Sequence, residues 1–349
     1  MRTKLLSVAW LLMSLAVPAH SWAQEEGVTY CLPKTAAKFT LKIEKTTYTP
    51  GDFAEYASRF LRVKAGTEKT VSYRLVDCSM NVYAQPDTAR RFVLKVGDKR
   101  GISNVALDDK GILLAVNDQP MPQALSGKMF VAAPKPKRAN PRDFLSQEIL
   151  AAGSNMKMAE LTAQDIYDIR DSRNQLSRGQ AEYMPKDGEQ LKLMLQKLDT
   201  QETAMLQLFT GTVDKDTSEV ALSYVPIRET NRQLLFRFSE KRGMMDVDDL
   251  GGNPYYISVE DEHSVPPPAA VDPKKKKEKE PVMYACTPGR IKLALFEGTK
   301  PWRSYEMYAA QFGQLNPIDE DLINKKVNTM VVLNPYTGSV EKIKTEQAK

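Results

Sequence analysis

Residues 187–211 read DGEQLKLMLQKLDTQETAMLQLFTG and predict one long amphipathic helix. Asp187 is a favoured N-cap residue, Gln190 stands three positions later, and Gly211 is suited to end the helix. In between, apolar side chains recur at the spacing of one helix face: Leu191, Leu195, Leu198, Met205 and Phe209. We therefore expect a helix that buries this face against a neighbour.

A second apolar series lies directly upstream and predicts a partner helix of similar length, which ends near Gly179. Its members are Met158, Leu161, Ile166, Ile169 and Leu176. The connection between the two helices is short and contains Pro185 and Gly188, which favours antiparallel packing of neighbours. Residues 142–211 are therefore expected to form a helical hairpin.

Glu202 interrupts the apolar face of the second helix, at a position where an apolar residue is expected. An antiparallel hairpin places residues 166–170 opposite residues 196–202, which makes Arg170 the expected cationic partner and puts Arg173 one turn nearer to the loop. A buried carboxylate needs such a partner, because an uncompensated buried charge is strongly destabilising. We interpret the three residues as a pin of the hairpin register. A site for an external cationic or polar ligand and a solvent-facing Glu202 are the alternatives.

On both sides of the hairpin the sequence is typical of strands. Phe39, Leu41 and Ile43 alternate with polar residues, which is the period of a half-buried strand, and residues 53–61 have the spacing of one short helix. We predict an α+β fold in which β-rich N- and C-terminal regions flank the antiparallel helical hairpin. Further strands are expected at Ser72–Met80, Phe92–Val96, Val220–Val225, Leu234–Phe238, Tyr255–Val259 and Ile291–Phe296, with hairpins over Val105–Val116 and Met330–Ile343.

These patterns divide the chain into seven segments. They are a signal peptide at 1–23, an N-terminal β-rich domain with one short helix at 24–118, a Pro-rich connecting arm at 119–141, the helical hairpin at 142–211, a β-rich segment at 212–263, a Pro/Lys-rich linker at 264–281 and a C-terminal β domain at 282–349.

Residues 1–23 have the layout of a secretory signal peptide. Arg2 and Lys4 precede a short apolar run, and Ala23 ends a small-residue cleavage pattern. The run is too short to span a bilayer comfortably, so a retained anchor is the less favoured alternative. We expect a periplasmic protein, exported by a cleavable signal peptide, with no transmembrane segment in the mature chain.

Charge and cysteine content limit the partners. Loss of Arg2 and Lys4 from 49 basic residues, against 44 acidic ones, lowers the net charge from +5 to +3, which does not indicate a nucleic acid partner. The lysine run at 274–277 is interpreted as part of a solvated linker, with a basic binding patch as the alternative. The three cysteines, Cys31, Cys78 and Cys286, allow at most one intramolecular disulfide, and at least one is expected to be a buried thiol.

Catalytic chemistry has little support in the sequence. His20 and His263 are the only histidines, which excludes sites with several histidines from one mature chain, and His263 is interpreted as a surface residue. Nucleophile-elbow, dinucleotide and P-loop motifs are absent. The acidic segment 246–252 lacks calcium-loop spacing and is interpreted as a turn. We assign no catalytic residue, no cofactor and no metal ligand.

Several short motifs are spread over nearly the whole mature sequence: Tyr30–Thr35, Thr47–Gly51, Ala159–Arg173, Met184–Gly188, Phe209–Gly211, Ala310–Gly313 and Asn334–Gly338. In these motifs the chain resembles an uncharacterised family of exported proteins of Bacteroidota-type bacteria, the domain-of-unknown-function family numbered 4831. The resemblance implies a Gram-negative envelope protein of the same layout, and it implies no reaction.

We therefore expect a non-enzymatic cell-envelope protein that binds or scaffolds another envelope protein or a glycan. The alternative is a carboxylate-based hydrolase or a carbohydrate-binding module with a β-sandwich cleft. Two carboxyl groups facing each other in a deep cleft favour the enzyme. An exposed apolar patch favours a partner surface.

Overall fold

The computed structural model describes residues 27–96, 101–122, 130–132, 134–135, 137–185, 187–267, 281–323 and 326–347. The predicted signal peptide at 1–23 and most of the predicted linker at 264–281 lie outside these residues. The described strands are β1 (Gly27–Thr49), β2 (Thr70–Lys95), β3 (Val105–Leu107), β4 (Leu113–Val116), β5 (Thr212–Tyr224), β6 (Thr230–Ser239), β7 (Gly243–Met245), β8 (Asn253–Asp261), β9 (Met283–Glu297), β10 (Lys300–Ile318), β11 (Val327–Leu333) and β12 (Val340–Gln347). The described helices are α1 (Ala57–Phe60), α2 (Gln147–Leu150), α3 (Asn155–Arg178) and α4 (Gly188–Thr210), with 3₁₀ turns at Ala54–Tyr56 and Pro141–Phe144.

The first sheet is antiparallel and has the strand order β2-β1-β5. The predicted alternation in β1 is confirmed, because Phe39, Leu41 and Ile43 are all buried. The expected separate strands Ser72–Met80 and Phe92–Val96 are wrong as a division, since β2 runs continuously between them. Pro86 lies opposite Pro33 of β1, and directly after it the register shifts, so that residues 87–90 of β2 have no partner in the pairing with β1. Such irregularities and prolines are typical of edge strands.

The second sheet has the order β10-β9-β8-β6-β7 and packs face to face on the first. The resulting sandwich has a continuous apolar core, and each strand contributes alternate residues to it. Its most buried members include Phe39, Leu41, Phe236, Ile257, Ile291, Leu293 and Leu295. The predicted strands at 234–238, 255–259 and 291–296 are confirmed as the inner part of this sheet.

The third sheet has the order β12-β11-β4-β3 and encloses a second core. The long strands of both sandwich sheets extend into this core through Tyr30, Leu94 and Met283. Both predicted hairpins, 105–116 and 330–343, are confirmed, and β4 of one pairs with β11 of the other. The segments that we separated as N- and C-terminal thus share one sheet.

A buried polar junction joins the two cores. Its centre is Thr35, which is fully buried and donates a hydrogen bond from Oγ1 to the Tyr336 carbonyl (2.9 Å) and accepts one from the Ala310 N–H (3.0 Å). The Gln311 side-chain amide accepts from the Thr35 N–H and donates to its carbonyl. Three of the motifs that carry the family resemblance, 30–35, 310–313 and 334–338, therefore meet at one place, where they satisfy backbone groups that strand pairing leaves open.

The helical hairpin is confirmed with the predicted ends. Asp187 caps α4, and Gly179 adopts the left-handed conformation that ends α3. The hairpin docks on the segment after β1, where the Phe53 N–H donates to the Leu208 carbonyl (2.7 Å) and the Phe53 ring packs on Phe209. No helix in the described residues combines the length and the apolar character needed to cross a membrane.

Two residues of the predicted arm at 119–141, Lys135 and Arg138, contact β5, which is an edge strand of the first sheet. Arg138 bonds the Asp214 carboxylate (2.7 Å) and the Val213 carbonyl (2.5 Å), and Lys135 bonds Asp216 (3.1 Å). These contacts come from side chains and involve no backbone ladder. These charged side chains cover the start of the β5 edge, and charged groups at a strand edge hinder pairing with another chain.

Candidate functional site

The structure brings the predicted trio on the hairpin together. Arg170 Nε donates to Glu202 Oε1 at 2.6 Å, and Arg173 Nη1 donates to Glu202 Oε2 at 2.5 Å. Arg173 also bonds Asp199 (2.8 Å), and this hydrogen bond, followed by the charge of Glu202, raises the pKa of the Arg173 guanidinium. The Glu202 side chain is only 9% exposed. The predicted partnership is confirmed, and both carboxylate oxygens are occupied by arginine.

The surroundings of the trio favour the interpretation as a register pin. The Arg170 guanidinium lies over the Tyr167 ring (5.6 Å), and the Tyr167 hydroxyl donates to the Phe60 carbonyl. The pin thus connects both helices to α1. Since each oxygen of Glu202 already has a charged donor, we retain the structural interpretation over a ligand site.

An open cleft at one end of the sandwich is the candidate ligand site. Its volume is about 370 Å³, which lies in the usual range for small-molecule sites. Its residues come from the start of β2, the end of β6 and the turn after it, the start of β8, the end of β9 and the start of β10. They are Ser72, Tyr73, Arg74, Leu75, Phe238, Glu240, Asn253, Tyr255, Glu297 and Trp302.

Aromatic rings line this cleft, and local structure holds them in place. Trp302 occupies a bulge of β10, between Pro301 and Arg303 in the register with β9. Its ring packs edge-on against Tyr255 (centroids 5.2 Å apart), which in turn stacks on Phe236 (4.5 Å). Bulges re-aim side chains next to binding sites, and here the bulge places Trp302 at the rim.

The charged groups of the cleft are two carboxylates, of Glu240 and Glu297, and one guanidinium, of Arg74. Glu240 and Glu297 form no ion pair with any residue that the structure describes. Arg74 bonds Glu44 outside the lining (3.0 Å), and this hydrogen bond is the main cause that lowers the pKa of Glu44. Burial, followed by the nearby carboxylate of Glu297, raises the pKa of the Tyr255 hydroxyl. The site therefore combines aromatic groups with two carboxylates that have no cationic partner among the described residues, and one of them, Glu297, interacts with the Tyr255 hydroxyl.

Sequence reasoning did not identify this cleft. Its residues span positions 72 to 302, and no motif connects them. One signal was present: of the three tryptophans, Trp10 and Trp22 lie in the predicted signal peptide, so that Trp302 is the only tryptophan of the expected mature chain. Trp302 is half-buried in the structure, and tryptophan is enriched among the residues that dominate binding interfaces.

The other candidates from the sequence have structural roles. The His263 side chain is 79% exposed and bonds Asp261 (3.3 Å). In the acidic turn, Asp249 is bonded by Arg242 (3.1 Å), and none of the described residues form a group of three or more side chains suited to a metal ion.

The cysteines are free thiols. Cys78 and Cys286 are buried, and Cys31 is half-buried. The prediction of at least one buried thiol is confirmed. Burial raises the pKa of the Cys78 and Cys286 thiols, which makes them poor nucleophiles.

These features define an α+β protein that has two cores, a docked helical hairpin and an aromatic cleft at the end of a β-sandwich. The chain belongs to the family DUF4831, a domain of unknown function, whose family model matches residues 26–341. Comparison with curated proteins and with solved structures found no significant match.

Proposed function

We propose that this chain is a non-enzymatic binding protein of the cell envelope, which holds a glycan in the sandwich cleft. The observation that supports the proposal is the lining, where Tyr73, Tyr255 and Trp302 stand beside carboxylate, amide and hydroxyl groups. Sugar rings present apolar C–H faces and a rim of hydroxyls. Tyrosine and tryptophan offer rigid apolar surface next to polar groups, which complements both features.

The proposed location in the envelope rests on the N-terminal sequence. Residues 1–23 have the charged, apolar and small-residue order of a cleavable signal peptide. Glycans are abundant in the envelope, so a glycan ligand and an exported chain are consistent with each other.

The pair Glu240 and Glu297 supports a second candidate, a carboxylate-based hydrolase, because both line the same cleft. Both residues are exposed. A general acid depends on burial to retain its proton near neutral pH, whereas a binding site uses exposed carboxylates as hydrogen-bond acceptors. Binding is therefore the function we favour.

The fluorescence of Trp302 provides a direct test. In the full chain with Trp10→Phe and Trp22→Phe, Trp302 is the only tryptophan, and its emission reports on the cleft. We expect a saturable change on titration with soluble oligosaccharides of glucose, mannose, glucosamine or N-acetylglucosamine. Tyr73→Ala should weaken this binding by about tenfold or more, and Tyr183→Ala, remote and 89% exposed, serves as the control.

Two outcomes contradict the proposal. If none of these oligosaccharides changes the emission or is retained by the immobilised chain, the glycan function is wrong. If chromatography of the mixtures shows cleavage that Glu297→Gln abolishes, the hydrolase replaces the binding protein.

A further inference from the structure

We propose that the group recognised in the cleft is a protonated amine, which places the ligand in the class of amino sugars with free amino groups. This inference rests on the proposed function, because it specifies the chemistry of the same site. The amine is expected between the carboxylates of Glu240 and Glu297 and against the rings of Tyr73 and Trp302.

The charge balance of the lining is the first argument. Glu240 and Glu297 contribute two negative charges, and Arg74 is the only cation of the lining. The charge of Arg74 is directed toward Glu44 by a hydrogen bond of 3.0 Å, and Glu44 also accepts from Lys215 (3.5 Å). An anionic sugar would meet two carboxylates without a free counter-charge, whereas an ammonium group would be neutralised.

The aromatic rings are the second argument. The faces of tryptophan and tyrosine attract cations through the ring quadrupole, most strongly when the cation is shielded from water. Trp302 and Tyr73 stand on opposite sheets of the sandwich and both reach the cleft. We expect a ligand ammonium to contact one of these rings while its hydrogens bond the carboxylates of Glu240 and Glu297.

The structure already contains a cation at each of these rings. The Arg303 guanidinium lies over Trp302, with Cζ 5.9 Å from the ring centroid. The Lys45 ammonium lies over Tyr73, with Nζ 5.9 Å from the ring centroid. Lys45 is the cross-strand partner of Tyr73 and is outside the lining of the cleft. This contact indicates that Tyr73 accepts a cation in its present environment, and it predicts that Lys45 competes with a cationic ligand for the ring.

A matched pair of ligands tests the inference. Trimers of glucosamine and of N-acetylglucosamine have the same backbone and differ in the charged amine. Titrated into the full chain with Trp10→Phe and Trp22→Phe at low salt and mildly acidic pH, the glucosamine trimer should bind about tenfold more tightly. Glu240→Gln and Glu297→Gln should each remove most of this preference, and Lys45→Gln should strengthen binding of the glucosamine trimer by roughly twofold to fivefold.

The control variant is Glu160→Gln, an exposed carboxylate on α3 that pairs with Lys157. Thermal unfolding should be the same for all these glutamine variants, so that a change in binding is not a change in folding. Equal binding of the two trimers overturns the inference and leaves the glycan function intact. If neither trimer and none of the neutral oligosaccharides binds, the amine inference and the glycan function are both wrong. If an amidated trilysine peptide binds as tightly as the glucosamine trimer, the cleft recognises a cationic amine, but the ligand is not a glycan.

Discussion

Arg170 Nε and Glu202 Oε1 are 2.6 Å apart, although 32 residues separate them in the sequence. The bond crosses the hairpin at a depth where the carboxylate is 9% exposed and the arginine side chain is 32% exposed. The pair therefore lies between the limits of a surface ion pair, which contributes little, and a fully buried one, whose disruption is costly.

Removal of either partner should destabilise the chain. We expect Glu202→Ala to lower the free energy of unfolding by about 1–3 kcal/mol, because two arginines lose their acceptor. Arg170→Ala should cost less, since Arg173 still bonds Glu202. In urea denaturation the double variant should lose clearly less than the sum of the single losses. Glu160→Ala is the surface control, and strictly additive losses would contradict the pairing.

Gly51 is expected to tolerate no side chain. A Cβ at this position would lie 2.2 Å from the Leu208 carbonyl oxygen, where the hairpin docks on the chain after β1. Gly51→Ala should therefore destabilise by about 1–3 kcal/mol through overpacking. Gly153→Ala is the control, because no atom lies within 4 Å of its added Cβ. Equal melting temperatures for the two variants would show that the hairpin is not docked at Gly51.

Tyr30 should make the chain sensitive to alkali. Burial raises the pKa of its hydroxyl from 10.0 to about 12, and the hydroxyl accepts a hydrogen bond from the Tyr284 N–H (2.8 Å). The folded state thus retains a proton that the unfolded state loses. This contribution is fully present below pH 10 and is lost as the pH rises from about 10 to about 12, by roughly 2–3 kcal/mol.

The variant Tyr30→Phe isolates this effect. It should be less stable near pH 8, because the Tyr284 N–H loses its acceptor, but its stability should fall less steeply above pH 10. Tyr183→Phe should behave like the parent chain. Denaturant titrations from pH 8 to pH 12 measure both slopes, and parallel curves for Tyr30→Phe and the parent would contradict the assignment.

The mature chain should begin at or near Gln24. Expression in a Gram-negative host should yield a soluble periplasmic product whose intact mass lacks residues 1–23. Replacement of Ala23 by Arg should block cleavage and retain the longer mass. A product of the parent sequence that keeps residues 1–23 would rule out the cleavable signal peptide.

The helical hairpin could be predicted from local sequence signals. Asp187, Gly179 and Gly211 act within a few residues of themselves, and the apolar spacing of α3 and α4 defines which faces meet. An antiparallel hairpin with a short loop then leaves one register. Glu202 and Arg170 were therefore predictable as partners.

The pairing of the β-strands could not be predicted in this way. Alternation identified the inner face of β1, and strand signals located β6, β8 and β9, but they did not indicate that β4 pairs with β11. A strand with one apolar face fits many neighbours, and the choice depends on the burial achieved by the whole chain.

The sequence by itself determined the helical hairpin, its ion pairs and many of the strands, because caps, periodicity and short loops act over neighbouring residues. Only the tertiary structure decided the cleft, which brings Tyr73 of an edge strand to Trp302, 229 positions later, at the end of the opposite sheet. The physical reason is that sheet order and face-to-face packing depend on contacts between distant segments. No local pattern in the sequence records which strand ends meet.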